Sequence, residues 1–146
     1  MKLVIQRVSE ADITINGKTT AKIGLGMLVL LGISKQDTEE QVKYLADKLI
    51  GLRIFEDEDG KMNKDIVQKN GEILIVSQFT LYADCKKGRR PGFESAAKPD
   101  VARPLYNYFI STLKQKFPHV KTGEFGADMT VKLVNDGPVT IIIEEL

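Results

Sequence analysis

The apolar positions switch period several times along the chain, and each switch marks an element. Met1 to Val8 is apolar for only a few residues, then alternates and runs toward a turn, which predicts a first strand and not a signal peptide. Asn16-Gly17 lies between Ile13-Thr14-Ile15 and Lys18-Thr19-Thr20, and both turn positions tolerate positive φ, so a hairpin is predicted there. Met27 to Leu31 is a short apolar run between glycines and predicts a buried strand. The period then becomes helical: Asp37 is placed to cap a helix, with Glu40 completing a capping box, and Val42, Leu45, Ala46, Leu49 and Ile50 form one face.

Leu52 to Phe55 is extended, and Glu56-Asp57-Glu58-Asp59-Gly60 is a solvated turn that lacks the ligand spacing of a calcium loop. After a second turn at Asn70-Gly71, Glu72 to Tyr82 reads as one long strand, and Ala83 to Pro99 as an irregular loop rich in Gly, Pro, Lys and Arg. A helix is predicted to start between Asp100 and Pro104, with Leu105, Tyr108, Phe109, Thr112 and Leu113 inward. Met129 to Val134 and Val139 to Glu144 are the last strands, and Asn135-Asp136-Gly137-Pro138 between them is first of all a hairpin turn. Val139-Thr140-Ile141-Ile142-Ile143 is apolar on both faces, so it is either central in the sheet or covered by a partner subunit.

Strands in hairpins outnumber two interspersed helices. The expected fold is α+β, with antiparallel or mixed β-sheets forming a barrel-like core beside two main helices. Residues 1–146 carry no repeat or linker and form a single domain of ordinary size. The net charge of +1 leaves only a local basic patch as a route to nucleic acid. The longest apolar run, Met27 to Leu31, is far short of the roughly 20 residues that span a bilayer, and a cytoplasmic protein without membrane contact is expected.

Composition narrows the chemistry. With one histidine, His119, and one cysteine, Cys85, neither an intrachain disulfide nor a Cys/His zinc site is expected. No P-loop or dinucleotide glycine pattern is present, and Gly24-Leu25-Gly26 reads as a tight turn. His119 lies just past the second helix, where a surface histidine is the better reading than a triad base, and no Gly-x-Ser-x-Gly elbow occurs. No metal and no cofactor are expected. An enzyme with this composition works by positioning, by backbone hydrogen bonds and by groups on its substrate.

Two segments stand out. Ser77-Gln78-Phe79-Thr80-Leu81 ends a buried-looking strand on polar residues, which can wall a pocket and aim backbone N–H groups at an oxyanion. From pattern alone a strand emerging into solvent is the favoured reading. Asn135-Asp136-Gly137-Pro138-Val139-Thr140 contains an X-Pro bond, for which cis costs only about 0.5–1 kcal/mol. A cis Gly137-Pro138 would aim two carbonyls the same way, a fork suited to an amine. Lys86, Lys87, Arg89 and Arg90 in the loop before Pro91-Gly92-Phe93 make a third feature, a solvated loop or a phosphate-contacting patch.

These residues resemble the D-aminoacyl-tRNA deacylase family. Ser77-Gln78-Phe79-Thr80-Leu81 matches its SQFTL motif and Asn135-Asp136-Gly137-Pro138-Val139-Thr140 its NxGPVT motif. The likeness continues through Met1 to Val8, Gly88-Arg89-Arg90-Pro91-Gly92-Phe93 and Thr122 to Met129. One departure is Gly92, where many members have serine; it puts a contact of the basic loop in doubt.

The resemblance implies hydrolysis of the ester between a D-amino acid and tRNA, a chiral proofreading step, with mischarged glycine as a further candidate substrate. It implies a homodimer in which Gly137-Pro138 enters the partner subunit's active site. Their carbonyls would capture the α-amino group, leave no room for an L side chain, and be held by Arg7, with Asn135 in the same group. Ser77, Gln78, Phe79 and Thr80 would form the catalytic pocket, with either Thr80 as nucleophile or the terminal ribose 2′-hydroxyl assisting water. The second is favoured, because no base neighbours Thr80 in the sequence. Lys86, Lys87, Arg89 and Arg90 would contact the acceptor end of tRNA. An activated ester needs little chemical help, whereas thousandfold rejection of the L form needs about 4 kcal/mol, which a rigid backbone wall can supply. A binding module without hydrolysis, a small-molecule esterase and a purely structural dimer stay open as alternatives.

Overall fold

Asn16 and Gly17 take φ of 50° and 76° and turn β1 (Lys2–Ile15) back into β2 (Lys18–Ile23), as their side chains allow. This hairpin opens a six-stranded sheet in a computed structural model that describes residues 1–145. β3 (Gly26–Gly32) pairs antiparallel with the first half of β1. After α1 (Glu39–Ile50) and a small ribbon of β4 (Phe55–Glu56) and β5 (Met62–Lys64), β6 (Glu72–Ser77) returns parallel to β3. α2 (Pro99–Lys116) leads to β7 (Val120–Thr122), parallel to β6, and β8 (Thr130–Glu144) runs antiparallel along nearly all of β1. The sheet curls back on itself: Lys121 Nζ donates to the Lys22 carbonyl at 2.6 Å, and the Gly24 amide donates to Glu72 Oε1 at 3.1 Å. The result is the α+β, nearly closed barrel with two helices.

Strand alternation sorts side chains into two cores. Leu3, Ile5, Met27, Val29, Leu31, Ile73 and Ile75 point toward the helices, where Val42, Leu45, Leu49, Phe109 and Leu113 meet them. Val8, Ile13, Ile23, Leu28, Leu74 and Val76 point into the barrel. β3 and residues 73–76 of β6 are apolar throughout because both of their faces are covered.

Both helix starts differ from the sequence expectation, each for a physical reason. The N-cap of α1 is Thr38, whose capping box is completed by Gln41, not Asp37 with Glu40. Asp37 is occupied elsewhere: its carboxylate takes the buried Met1 ammonium and, at 2.7 Å, the Ser34 amide. α2 begins at Pro99, ahead of the expected window; a first-turn proline loses no intrahelical bond. Its buried face is Ala102, Tyr106, Phe109, Thr112 and Leu113, while Leu105 and Tyr108 are half-buried.

The largest correction is β8. Asn135-Asp136-Gly137-Pro138 is not a hairpin turn, because the chain keeps its direction. Asn135 pairs with Val8 and Thr140 with Gln6, so the intervening residues bulge out of one continuous strand. β8 is also an edge strand, not a central one: it pairs only with β1, its inward residues Val139, Ile141 and Ile143 rest on the core, and Val134 and Ile142 are 49% and 66% exposed.

Candidate active site

The site begins where β6 stops. The Gln78 amide donates to Leu31 O at 2.8 Å, the last bond of the ladder, and residues 79–82 then coil into a 3-10 turn. The long strand expected to reach Tyr82 therefore ends at Ser77. Gly32 makes room for the turn: a Cβ there would lie 3.0 Å from Leu81 Cβ and 3.2 Å from Gln78 O. The first amides of a helical turn have no carbonyl ahead of them within it, so those of Phe79 and Thr80 have no acceptor inside the turn.

Ser77, Gln78 and Phe79 form one wall of a cavity of about 580 Å³, within the usual range for small-molecule sites. Ala97, Pro99 and Ala102, at the start of α2, form a second wall, and the 125–129 segment forms the third. Phe125 is fixed from behind by Tyr106, ring centres 5.5 Å apart, and from outside by the Arg103 guanidinium, 4.7 Å from the ring centre. Burial pushes the Tyr106 hydroxyl above the ordinary tyrosine range, so it is a neutral part of this wall. The sequence motifs located the first wall. The second and third were not foreseen as site residues, since small apolar residues and a glycine-bearing turn carry no chemical signature of their own.

Thr80 lies at the rim, exposed, and outside the cavity wall. Its hydroxyl oxygen accepts a hydrogen bond from the Gln78 side-chain amide. An amide donor withdraws electron density from that oxygen and cannot take its proton. His119 packs instead against Phe117, ring centres 5.6 Å apart, at the far end of α2. Among the described residues no group of three His, Cys, Asp or Glu is placed to hold a metal ion.

The bulge of β8 forms a second constellation. Gly137-Pro138 is cis, and Gly137 has φ 141°, a conformation open to glycine. Arg7, only 5% exposed, donates from Nε to the Asp136 carbonyl at 2.9 Å and from Nη1 to the Ile54 carbonyl at 2.8 Å. Asn135 spans the base of the bulge, accepting from the Val139 amide at 2.8 Å and donating to Val139 O and Thr140 Oγ1 at 3.3 and 3.2 Å. Arg7, Asn135, Gly137 and Pro138 thus form one rigid unit. They do not meet Ser77, Gln78 and Phe79 within the chain. The nearest part of β8 in the cavity wall is Val131, and six residues of strand separate it from Gly137 by roughly 20 Å.

Lys86, Lys87, Arg89 and Arg90 are all exposed on a lobe closed by paired hydrogen bonds between Asp84 and Gly92, 2.8 and 2.9 Å. Phe93 ties the lobe to the cavity by packing edge-on against Phe79, ring centres 5.1 Å apart. At Gly92 an added Cβ would sit 2.6 Å from the Glu94 carboxylate, so Glu94 takes space that a serine side chain would claim.

The motif that matched by sequence thus lines a real cavity, and residues 4–144 match the description of the D-Tyr-tRNA(Tyr) deacylase family. The chain belongs to that family. A D-aminoacyl-tRNA deacylase of Thermosipho africanus is 56% identical over 144 residues, covering 99% of this chain and 97% of its relative. One of Protochlamydia amoebophila is 56% identical over 146 residues, covering 100% and 97%. A solved protein described as a c-Myc DNA unwinding element binding protein superimposes with a TM-score of 0.95 at 44% identity, covering 100% of this chain and 99% of its own. Among the described residues no helix is long and apolar enough to cross a membrane.

Proposed function

We propose that this chain hydrolyses the ester joining a D-amino acid to the 3′ end of tRNA and works as a homodimer, with Gly137-Pro138 of one subunit set in the cavity of the other. The chain is a hydrolase of the deacylase family, and its substrate class is aminoacyl-tRNA. The observation that carries the two-subunit reading is the roughly 20 Å between Val131 and Gly137 along one strand: a chain cannot fold its own fork into its own cavity. A second copy can reach it. The unpaired edge of β8, with exposed Val134 and Ile142 on either side of the bulge, is the surface such a copy would cover.

In this arrangement the fork's carbonyls accept the substrate's α-ammonium. That fixes the α-carbon, so a D side chain points to the open part of the cavity and an L side chain into the backbone. Glycine, with no side chain, fits either way and is a further substrate. The ester carbonyl oxygen faces the amides of Phe79 and Thr80. Water adds to the carbonyl carbon, the negative charge that develops on oxygen is taken up by those amides, and collapse breaks the bond to the ribose oxygen. The products are the free D-amino acid and tRNA with its terminal hydroxyl restored. The ribose 2′-hydroxyl is the group placed to relay the water's proton, since the Thr80 oxygen is engaged by Gln78. Lys86, Lys87, Arg89 and Arg90 contact phosphates of the acceptor end.

The test is loss of ester from D-tyrosyl-tRNA and L-tyrosyl-tRNA with the purified protein and no added metal. Loss of the D ester alone is expected. Equal loss of both would refute the role of Gly137-Pro138, and loss of neither would refute hydrolysis and leave a binding module.

A further inference from the structure

Phe79 is 54% exposed although it lines the cavity, so one part of the ring faces the pocket and the rest faces solvent at its mouth. Phe93 meets it edge-on, with an interplanar angle of 66° and ring centres 5.1 Å apart. Two aromatic rings held at a cavity mouth present a fixed apolar platform. Residues 84–93, closed by the Asp84–Gly92 hydrogen bonds, carry Lys86, Lys87, Arg89 and Arg90 beside it. With Asp84 and Glu94 counted, residues 84–94 carry a net charge of +2 against +1 for the whole chain, so the platform stands beside a local basic patch. Aromatic rings that stack bases, next to cations that follow a phosphate backbone, are what single-stranded nucleic acid binds.

We infer that Phe79 and Phe93 form a stacking platform for the unpaired nucleotide preceding the terminal adenosine of the acceptor end, with the 86–90 cations on its phosphates. The inference rests on the reading of the substrate as aminoacyl-tRNA, and it adds a subsite outside the cavity. Once the terminal aminoacyl-adenosine fills the cavity, the strand leaves past the rim at Phe79, and the next base lies against the platform. That nucleotide is the same in every CCA end, so this subsite adds affinity without selecting among tRNAs, as suits an enzyme that acts on many of them.

Phe93 is the residue to change, because it supports the platform without lining the cavity. Three esters separate the subsites: D-tyrosyl-tRNA, D-tyrosyl-CCA trinucleotide and D-tyrosyl-adenosine. Phe93→Leu is expected to raise KM about 10-fold for the first two, the size of one base–aromatic stack. Kcat should be unchanged, as should both constants on D-tyrosyl-adenosine, and Phe93→Tyr should restore KM. An equal loss on all three esters would show that Phe93 only props Phe79, and no change on any would show that nothing stacks there; either overturns the platform. Wild-type protein inert toward all three esters would instead refute the deacylase reading, and the platform would fall with it.

Discussion

Replacing Arg7 by Met separates the rigidity of the β8 bulge from the chemistry of the cavity. The guanidinium makes two bonds to carbonyls, a part-buried one to Asp136 at 2.9 Å and a buried one to Ile54 at 2.8 Å. It also has two ionic contacts, 3.5 Å to the Asp136 carboxylate and 3.8 Å to that of Glu56. The carboxylate partners are more than half exposed, so water screens them and they add little. The two charge-assisted hydrogen bonds carry the effect, at about 1.5–3 kcal/mol each. Methionine refills much of the apolar volume, so the net loss expected is about 3–5 kcal/mol. Urea unfolding at one fixed protein concentration measures it, since association would otherwise shift the midpoint. Arg7→Lys keeps the charge but not the planar fork, reaches one carbonyl, and should lose about half as much. Both variants should also hydrolyse L-tyrosyl-tRNA faster relative to the D ester, because the bulge loses its support. A loss below about 1 kcal/mol together with unchanged chiral preference would refute the clamp.

Four further outcomes follow from other parts of the molecule. Asp37→Asn leaves the buried Met1 ammonium without its counter-charge and should cost about 3–5 kcal/mol, seen as a lower Tm with kcat unchanged at 25 °C. Burial raises both tyrosine hydroxyls, Tyr82 also feeling Asp37 and Glu144. The folded state then holds protons that the unfolded state releases, so this stability is full below about pH 10 and falls as pH rises above it. Tyr82→Phe/Tyr106→Phe should flatten that alkaline loss, and an unchanged profile would count against it. Thr80→Ala should keep activity within about 10-fold, the cost of a lost rim hydrogen bond; abolished single-turnover hydrolysis with folding intact would make Thr80 the nucleophile. Gly137→Ala places a Cβ 2.8 Å from Val139 Cγ2 and 3.3 Å from Arg7 Nη2 at a φ of 141°, and should abolish D-ester hydrolysis while Tm falls by only a few degrees.

Periodicity made the barrel legible where each strand had one environment. Asn16-Gly17 and the 26–32 run could hardly do otherwise. It failed where a competing interaction decided the matter. Asp37 has the chemistry of a cap, yet the Met1 ammonium, 36 residues away, holds it, and capping passes to Thr38. Phe79 to Tyr82 has strand residues, but Gly32 admits the turn that packs against it. Asp136-Gly137-Pro138 has the composition of a hairpin, and local chemistry cannot tell a reversal from a bulge. The distinction lies in the pairing of Asn135 with Val8 and Thr140 with Gln6, a long-range register.

The site was legible in proportion to its polarity, and this matches how the two constellations would divide the work on the proposed reading. An aminoacyl ester is already reactive, so on the proposed reading the cavity needs amide donors and little else. Chiral selection by the proposed fork needs a wall that does not yield, and Arg7 and Asn135 tie the bulge down with hydrogen bonds, of which the one from Arg7 to the Ile54 carbonyl is buried. A wall that gave way by an ångström would admit the L form at a cost well below the roughly 4 kcal/mol that thousandfold rejection requires. The two kinds of substitution should therefore read out differently. Changes at the cavity rim alter the rate on the D ester and leave the D-to-L ratio in place. Changes at Arg7 or Asn135 move the ratio before they move the rate. An Asn135→Ala variant that lost rate but kept the wild-type ratio would mean that the bulge serves the chemistry and not the choice.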